Sequence, residues 1–197
     1  MINPSSATTV KFSIDNHMLT VIANDFGEIE PYETDHITLA VGQRSDVLVK
    51  ANGEPTDSVW MRGFQPPPCS PIRGEAEMTA AIFYDRSQVP ISEPQPGAYD
   101  TYCGNDPLAQ TVPTYPIYPG EPSVTEIIPI EFKPNETGNL LLYMANRTFH
   151  VNYNDPILLE SKLGNLDFPY IRNVHNYDTN NSIRFVIENT GNQPHPM

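Results

Sequence analysis

A net charge of −13, from 11 basic against 24 acidic residues with no Lys/Arg cluster, makes nucleic acid and anionic membrane surfaces poor partners for this 197-residue chain. Hydrophobic residues at 39% support a packed core and exclude wholesale disorder. Charged residues at only 18%, 21 prolines and little helical periodicity point to an all-β chain with long irregular connections.

In chain order, Val10, Phe12 and Ile14 alternate with polar neighbours, which predicts a strand over residues 9–14. Asp15-Asn16-His17 follows as a tight turn, because Asp and Asn tolerate the left-handed region and bond locally to the backbone. Residues 18–23 read as the return strand of a hairpin. Ile37, Leu39 and Val41 mark a strand over 37–41, Gly42-Gln43-Arg44-Ser45 turns the chain, and 46–50 runs back. Further strands are expected over 58–63, carrying Trp60, and over 77–84. Glu28, Glu30, Glu33 and Asp35 alternate along an extended segment; they read as a solvated face rather than a calcium loop, which needs convergent oxygens and a Gly at a fixed turn. Six or seven short strands in about 85 residues, spaced by turn signals, are the pattern of a β-sandwich.

Prolines crowd residues 86–125 and forbid a continuous ladder there. Strands resume over 126–132, 140–144, 148–152 and 182–188; in the last, Ile183, Phe185 and Ile187 alternate with Arg184, Val186 and Glu188. No stretch of about 18 apolar residues occurs, so no membrane span is expected. The first six residues carry neither a basic region nor an apolar run, so no signal peptide is expected in this chain. Asn135-Glu136-Thr137, Asn146-Arg147-Thr148 and Asn180-Asn181-Ser182 are glycosylation sequons.

Several of these stretches resemble the multicopper oxidases of the fungal (ascomycete) laccase type. Ile2-Asn3-Pro4-Ser5-Ser6, Phe12-Ser13-Ile14-Asp15-Asn16-His17, Val41-Gly42-Gln43-Arg44-Ser45-Asp46-Val47 and Trp60-Met61-Arg62-Gly63 look like successive strands of the family's second cupredoxin-like domain. Cys103-Gly104-Asn105-Asp106-Pro107-Leu108 looks like its linker, and Gln193-Pro194-His195-Pro196-Met197 looks like the opening of a copper-ligand strand in its third domain. The resemblance implies an all-β fold: a cupredoxin-like Greek-key β-sandwich over 1–103, a proline-rich linker over 104–125, and part of a second β-sandwich over 126–197. It also implies a copper-dependent oxidase that couples one-electron oxidation of a small-molecule reducing substrate to reduction of oxygen to water. The second domain of that family shapes one wall of the substrate pocket and spaces the copper-bearing domains.

By the same resemblance His195 is a ligand of the type 1 copper, in a site whose other ligands lie outside these residues. Such a copper needs a Cys with two His around it, and neither Cys69 nor Cys103 has that setting. In a cytosolic protein the two cysteines would be free thiols. With the sequons and the family resemblance they are expected to form a disulfide in a secreted, glycosylated parent, with Asn135, Asn146 and Asn180 as glycosylation sites. His17, His36, His150 and His175 read as turn, surface, half-buried strand and loop residues, with no metal role. In many laccases the loop after the first strand of the second domain carries an acidic residue near the phenol hydroxyl. Here that place reads Ser6-Ala7-Thr8-Thr9, which puts a simple phenol substrate in doubt. The chain alone is expected to be inactive. The rival reading is a non-catalytic secreted β-sandwich that binds a glycan or a protein.

Overall fold

A computed structural model describes residues 1–5, 8–69, 77–85, 87, 102–177 and 182–191. The chain divides into two compact units, Met1–Ile117 and Tyr118–His195. The stretch expected as a linker over 104–125 is shared between them.

In the first unit the strands are β1 (Val10–Ile14), β2 (Leu19–Asn24), β3 (Gly27–Thr34), β4 (His36–Leu39), β5 (Ser45–Val49), β6 (Ser58–Phe64) and β7 (Glu77–Phe83). They form two antiparallel sheets, ordered β4-β1-β6-β7 and β3-β2-β5. Ile14, Ile37, Leu39 and Val59 from the first sheet meet Leu19, Val21 and Ile29 from the second in one core. The all-β reading therefore holds, and the two sheets make a sandwich around alternating apolar residues.

Two hairpins expected from the sequence do not form. β1 pairs with β4 and β6 rather than β2, and β5 pairs with β2 rather than β4. Ile14 and Leu19 both point into the core, but from opposite sheets. Alternation tells which face of a strand is buried; it does not tell which neighbour the strand takes. The turn itself is as expected, with Asn16 in the left-handed region at φ 60°. β3 is a strand that the sequence reading passed over as a solvated extended segment. Its exposed Glu28, Glu30 and Glu33 hide a single buried anchor, Ile29.

The second unit holds β8 (Val124–Pro134), β9 (Leu140–Met144), helix α1 (Ile157–Lys162) and β10 (Ile183–Asn189). β9 pairs antiparallel with β8, and β10 pairs parallel with β8 on its other side. Only Ile128 and Ile130 among its aliphatic strand residues are buried. Ile127, Phe132, Leu140 and Phe185 are each at least half exposed. The strand expected over 148–152 is absent: His150 N–H makes one bond, to the Ile171 carbonyl at 3.2 Å, and no ladder follows.

Candidate functional site

The distinctive motif at 41–47 serves the backbone. Gly42 sits at φ 75°, which a side chain would disfavour. The Gln43 side chain accepts from Ala40 N–H at 2.7 Å, the Arg44 N–H donates to the Asp25 carboxylate at 3.1 Å, and the Ser45 hydroxyl donates to the Ala23 carbonyl at 3.3 Å. The first motif joins it. Asn3 N–H donates to the Gln43 carbonyl and Gly42 N–H to the Asn3 carbonyl, both at 3.0 Å. The buried Asn3 side chain donates to the carbonyls of Thr8 at 2.8 Å and Leu39 at 2.9 Å. Buried carbonyls left unpaired are costly, so one Asn at this place fastens three segments.

The strand motif at 60–63 contributes a buried cation. Arg62 donates to both Asp15 carboxylate oxygens, at 2.6 and 2.8 Å, and to Glu77 at 2.6 Å. A fork with two carboxylates suits the planar guanidinium. His17, expected as a solvated or backbone-bonded turn residue, is buried. Its Nδ1 donates to the Asp15 carbonyl at 2.7 Å, which leaves Nε2 to accept from the Tyr84 hydroxyl.

Cys69 and Cys103 form a disulfide, with Cα atoms 5.3 Å apart. It anchors residues 102–117, which run as a strap along the open side of the sandwich. Further on, the strap adds to the free edge of β3: Glu30 N–H donates to the Val112 carbonyl at 2.8 Å, and Thr114 N–H to the Glu28 carbonyl at 3.0 Å. Between these points Asp106 turns inward. One carboxylate oxygen accepts from Thr38 N–H on β4 at 2.9 Å, and the other faces the Tyr32 hydroxyl of β3 at 3.4 Å. Burial pushes the Asp106 carboxyl above its ordinary range, against the Thr38 bond, nearby His36 and the Tyr32 bond, which pull it down. Burial, then the charge and hydrogen bond of Asp106, push the Tyr32 phenol up to about 12. Sequence reasoning quoted Asp106 only as part of a linker. The signal was an Asp-Pro turn close behind a cysteine.

The other predicted residues stay apart. His36 pairs with its neighbour Asp35 at 2.6 Å. His175 lies 2.9 Å from Glu126, and His150 is exposed, not half-buried. Asn135 accepts from Thr137 N–H, the Thr137 hydroxyl and Asn139 N–H in the β8–β9 turn. Asn146 is exposed and accepts from Lys133 at 2.9 Å. His195 and Asn180 lie outside the described residues, as do Ser6 and Ala7; Thr8 and Thr9 are buried. Among the described residues, no three His, Cys, Asp or Glu side chains converge as a metal site.

Comparison with known proteins bears on this sandwich directly. The family model described as multicopper oxidase matches residues 1–83. The oxidoreductase OpS5 of Beauveria bassiana is 30% identical over 206 aligned positions, covering all of this chain and 35% of that protein. Laccase-2 of Botryotinia fuckeliana is 39% identical over 114 positions, covering 57% of this chain and 19% of that one. The crystal structure of the laccase from Botrytis aclada superposes on 93% of this chain with a TM-score of 0.82 and 29% identity.

The chain belongs to the multicopper oxidases, of the fungal laccase-like kind. It spans about a third of the length of these relatives, 35% of OpS5 and 33% of the Botrytis laccase. A further multicopper oxidase, Fet3p, shares the fold at a TM-score of 0.65 and 19% identity. Multicopper oxidases use copper, and the fit of this stretch to such a metal can be tested on its own side chains. A thiolate-ligated copper needs a free cysteine. The sequence holds two cysteines and both are consumed in the Cys69–Cys103 bridge. These residues do not fit that centre.

Proposed function

We propose that this chain is the structural middle of a copper-dependent, laccase-like oxidase, one that couples one-electron oxidation of a small-molecule reducing substrate to reduction of oxygen to water. Residues 1–103 act as the second cupredoxin-like domain, 104–125 as the linker, and 126–197 as the first part of the third. The single observation that carries the reading is the superposition on the Botrytis aclada laccase over 93% of the chain. In this reading the sandwich is a rigid spacer. Its family-like motifs fasten turns and bury an ion pair, which is what a domain that holds others at a fixed distance requires.

His195 is the chain's contribution to the type 1 copper, joined by ligands from elsewhere in the oxidase, and the chain alone is inactive. The disulfide supports that second statement, because it removes both thiols. The bare apolar residues of β8, β9 and β10 support it too, since an oxidase's remaining strands would cover them. The parent is secreted and glycosylated at Asn135, Asn146 and Asn180. Its reducing substrate differs from a simple phenol, in keeping with the buried Thr8 and Thr9 where many laccases present a carboxylate.

The test is copper content by atomic emission, with oxygen uptake, on this chain and on the full-length gene product. Near-zero copper here with stoichiometric copper in the longer protein is the expected pair of results. Copper bound tightly by this chain alone would refute the assignment of inactivity. Copper in neither would favour the binding-module reading.

A further inference from the structure

The loop between β5 and β6 carries Asn52-Gly53, the one Asn-Gly pair in the sequence. Gly53 is demanded by packing. A Cβ on it would fall 2.7 Å from the Tyr84 ring and 3.1 Å from the Asp57 carboxylate, so a side chain fits only if its neighbours shift. The chain after Gly53 is fixed. Glu54 N–H donates to the Asp57 carboxylate at 2.8 Å, Asp57 N–H to the Glu54 carbonyl at 2.9 Å, and Tyr84 N–H to the Asp57 carbonyl at 3.2 Å. The chain before it is not. Asn52 is exposed, and among the described residues no hydrogen bond engages its side chain or the Gly53 N–H. Asn3, Asn135 and Asn152, by contrast, have side-chain oxygens that accept from nearby backbone N–H groups.

We propose that Asn52 is a site of spontaneous deamidation in the folded chain, with water as the sole co-reactant. The Gly53 backbone nitrogen attacks Cγ of Asn52. The N–Cγ bond forms, the Cγ–Nδ2 bond breaks, and ammonia leaves with the proton given up by the Gly53 nitrogen. Water then opens the cyclic imide at either carbonyl, which yields an aspartyl or an isoaspartyl chain. No atom is oxidised or reduced. A side chain on the following residue would hinder the attack, and the glycine that Tyr84 requires leaves the nitrogen open. Packing demand and chemical lability thus have the same cause. Either product adds a carboxylate beside Glu54 and Asp57. The isoaspartyl product also routes the backbone through the side-chain methylene, which lengthens the chain ahead of Gly53. Gly53 has no slack against the Tyr84 ring, and the Tyr84 hydroxyl bonds to Nε2 of His17. Conversion to isoaspartate therefore disturbs His17, in the turn between β1 and β2.

The test is peptide mapping by mass spectrometry after incubation of the intact chain in mildly alkaline buffer, with a second sample held unfolded in urea. Trp60 fluorescence checks that the first sample stays folded. Expected in the folded chain is conversion of Asn52 several-fold faster than any other asparagine, with both aspartyl and isoaspartyl peptides, at a rate comparable to that in urea. Asn52→Gln should remove this conversion, because closure of the larger glutamine ring is far slower. A second set of His17 ring resonances should grow in step with the isoaspartate fraction. Conversion at Asn52 in urea with none in the folded chain would overturn the proposal, because the loop would then shield the pair. So would faster conversion at another asparagine, or an isoaspartate yield unchanged in Asn52→Gln. His17 resonances that stay single while isoaspartate accumulates would overturn the link through Tyr84.

Discussion

Replacing Arg62 by methionine removes the buried cation while keeping a long apolar side chain. In the native unit Arg62 is 6% exposed and makes three charged hydrogen bonds of 2.6, 2.8 and 2.6 Å. The side chains of Asp15 and Glu77 retain 30% and 23% of their surface. Removing one partner of a buried pair costs about 3–5 kcal/mol, because the carboxylates stay behind uncompensated. Their partial exposure places this case near the lower end, about 3 kcal/mol. With a urea slope of about 1–3 kcal/mol per molar for a small domain, the midpoint should fall by roughly 1–3 M. The chain's only tryptophan is Trp60 on β6, so its fluorescence reports the first unit alone. The expected result is a lower midpoint with an unchanged slope. Adding Asp15→Asn and Glu77→Gln to the Arg62 variant should recover part of the loss. A shift equivalent to less than about 1 kcal/mol would refute the reasoning, because Arg62 would then behave as a surface ion pair.

Other outcomes follow from the same structure. Cys69→Ser with Cys103→Ser opens a covalent loop of 34-residue separation and should lower stability by about 4 kcal/mol in the chain-entropy account, read by the same Trp60 titration. Tyr32, pushed up to about 12, favours folding in its protonated form. That contribution is complete below the ordinary value of 10.0 and is lost as pH rises toward 12, so Tyr32→Phe should flatten this part of the alkaline stability profile. Leu19→Ala, at a fully buried core position, should cost about 2–5 kcal/mol in urea unfolding. Expression through a secretory pathway should give a chain whose mass falls on endoglycosidase treatment, with Asn135→Gln and Asn146→Gln each removing one glycan; an unchanged mass would remove the glycosylation proposal at both residues. Phe132→Ser with Phe185→Ser, at exposed sites, should reduce dye binding to the second unit's apolar surface.

The sequence carried the strands of the first sandwich through their alternating apolar residues: Ile37 and Leu39 are core residues, as their alternation predicts, although Thr38 between them is buried too. What alternation lacks is the partner of each strand. Both missed hairpins fail in the same way, with consecutive strands placed in opposite sheets, β1 and β2 in one case and β4 and β5 in the other. β3 escaped notice because one buried residue, Ile29, gives too weak a signal among exposed acids. The candidate site was legible in part. The bridge was expected once the sequons and the family resemblance stood beside the two cysteines, but the inward turn of Asp106 depends on where β3 and β4 end in space, and no local pattern encodes that. The family motifs also change meaning once their bonds are seen. Asn3, Gln43 and Arg62 are polar residues inside the family motifs, and each is satisfied by the fold itself. Polar residues spent on backbone carbonyls and buried carboxylates fix geometry rather than carry chemistry. That is why the recognisable part of this sandwich argues for a spacer, in which Asp106 and Tyr32 are a neighbouring pair of titratable groups whose ionisation burial opposes.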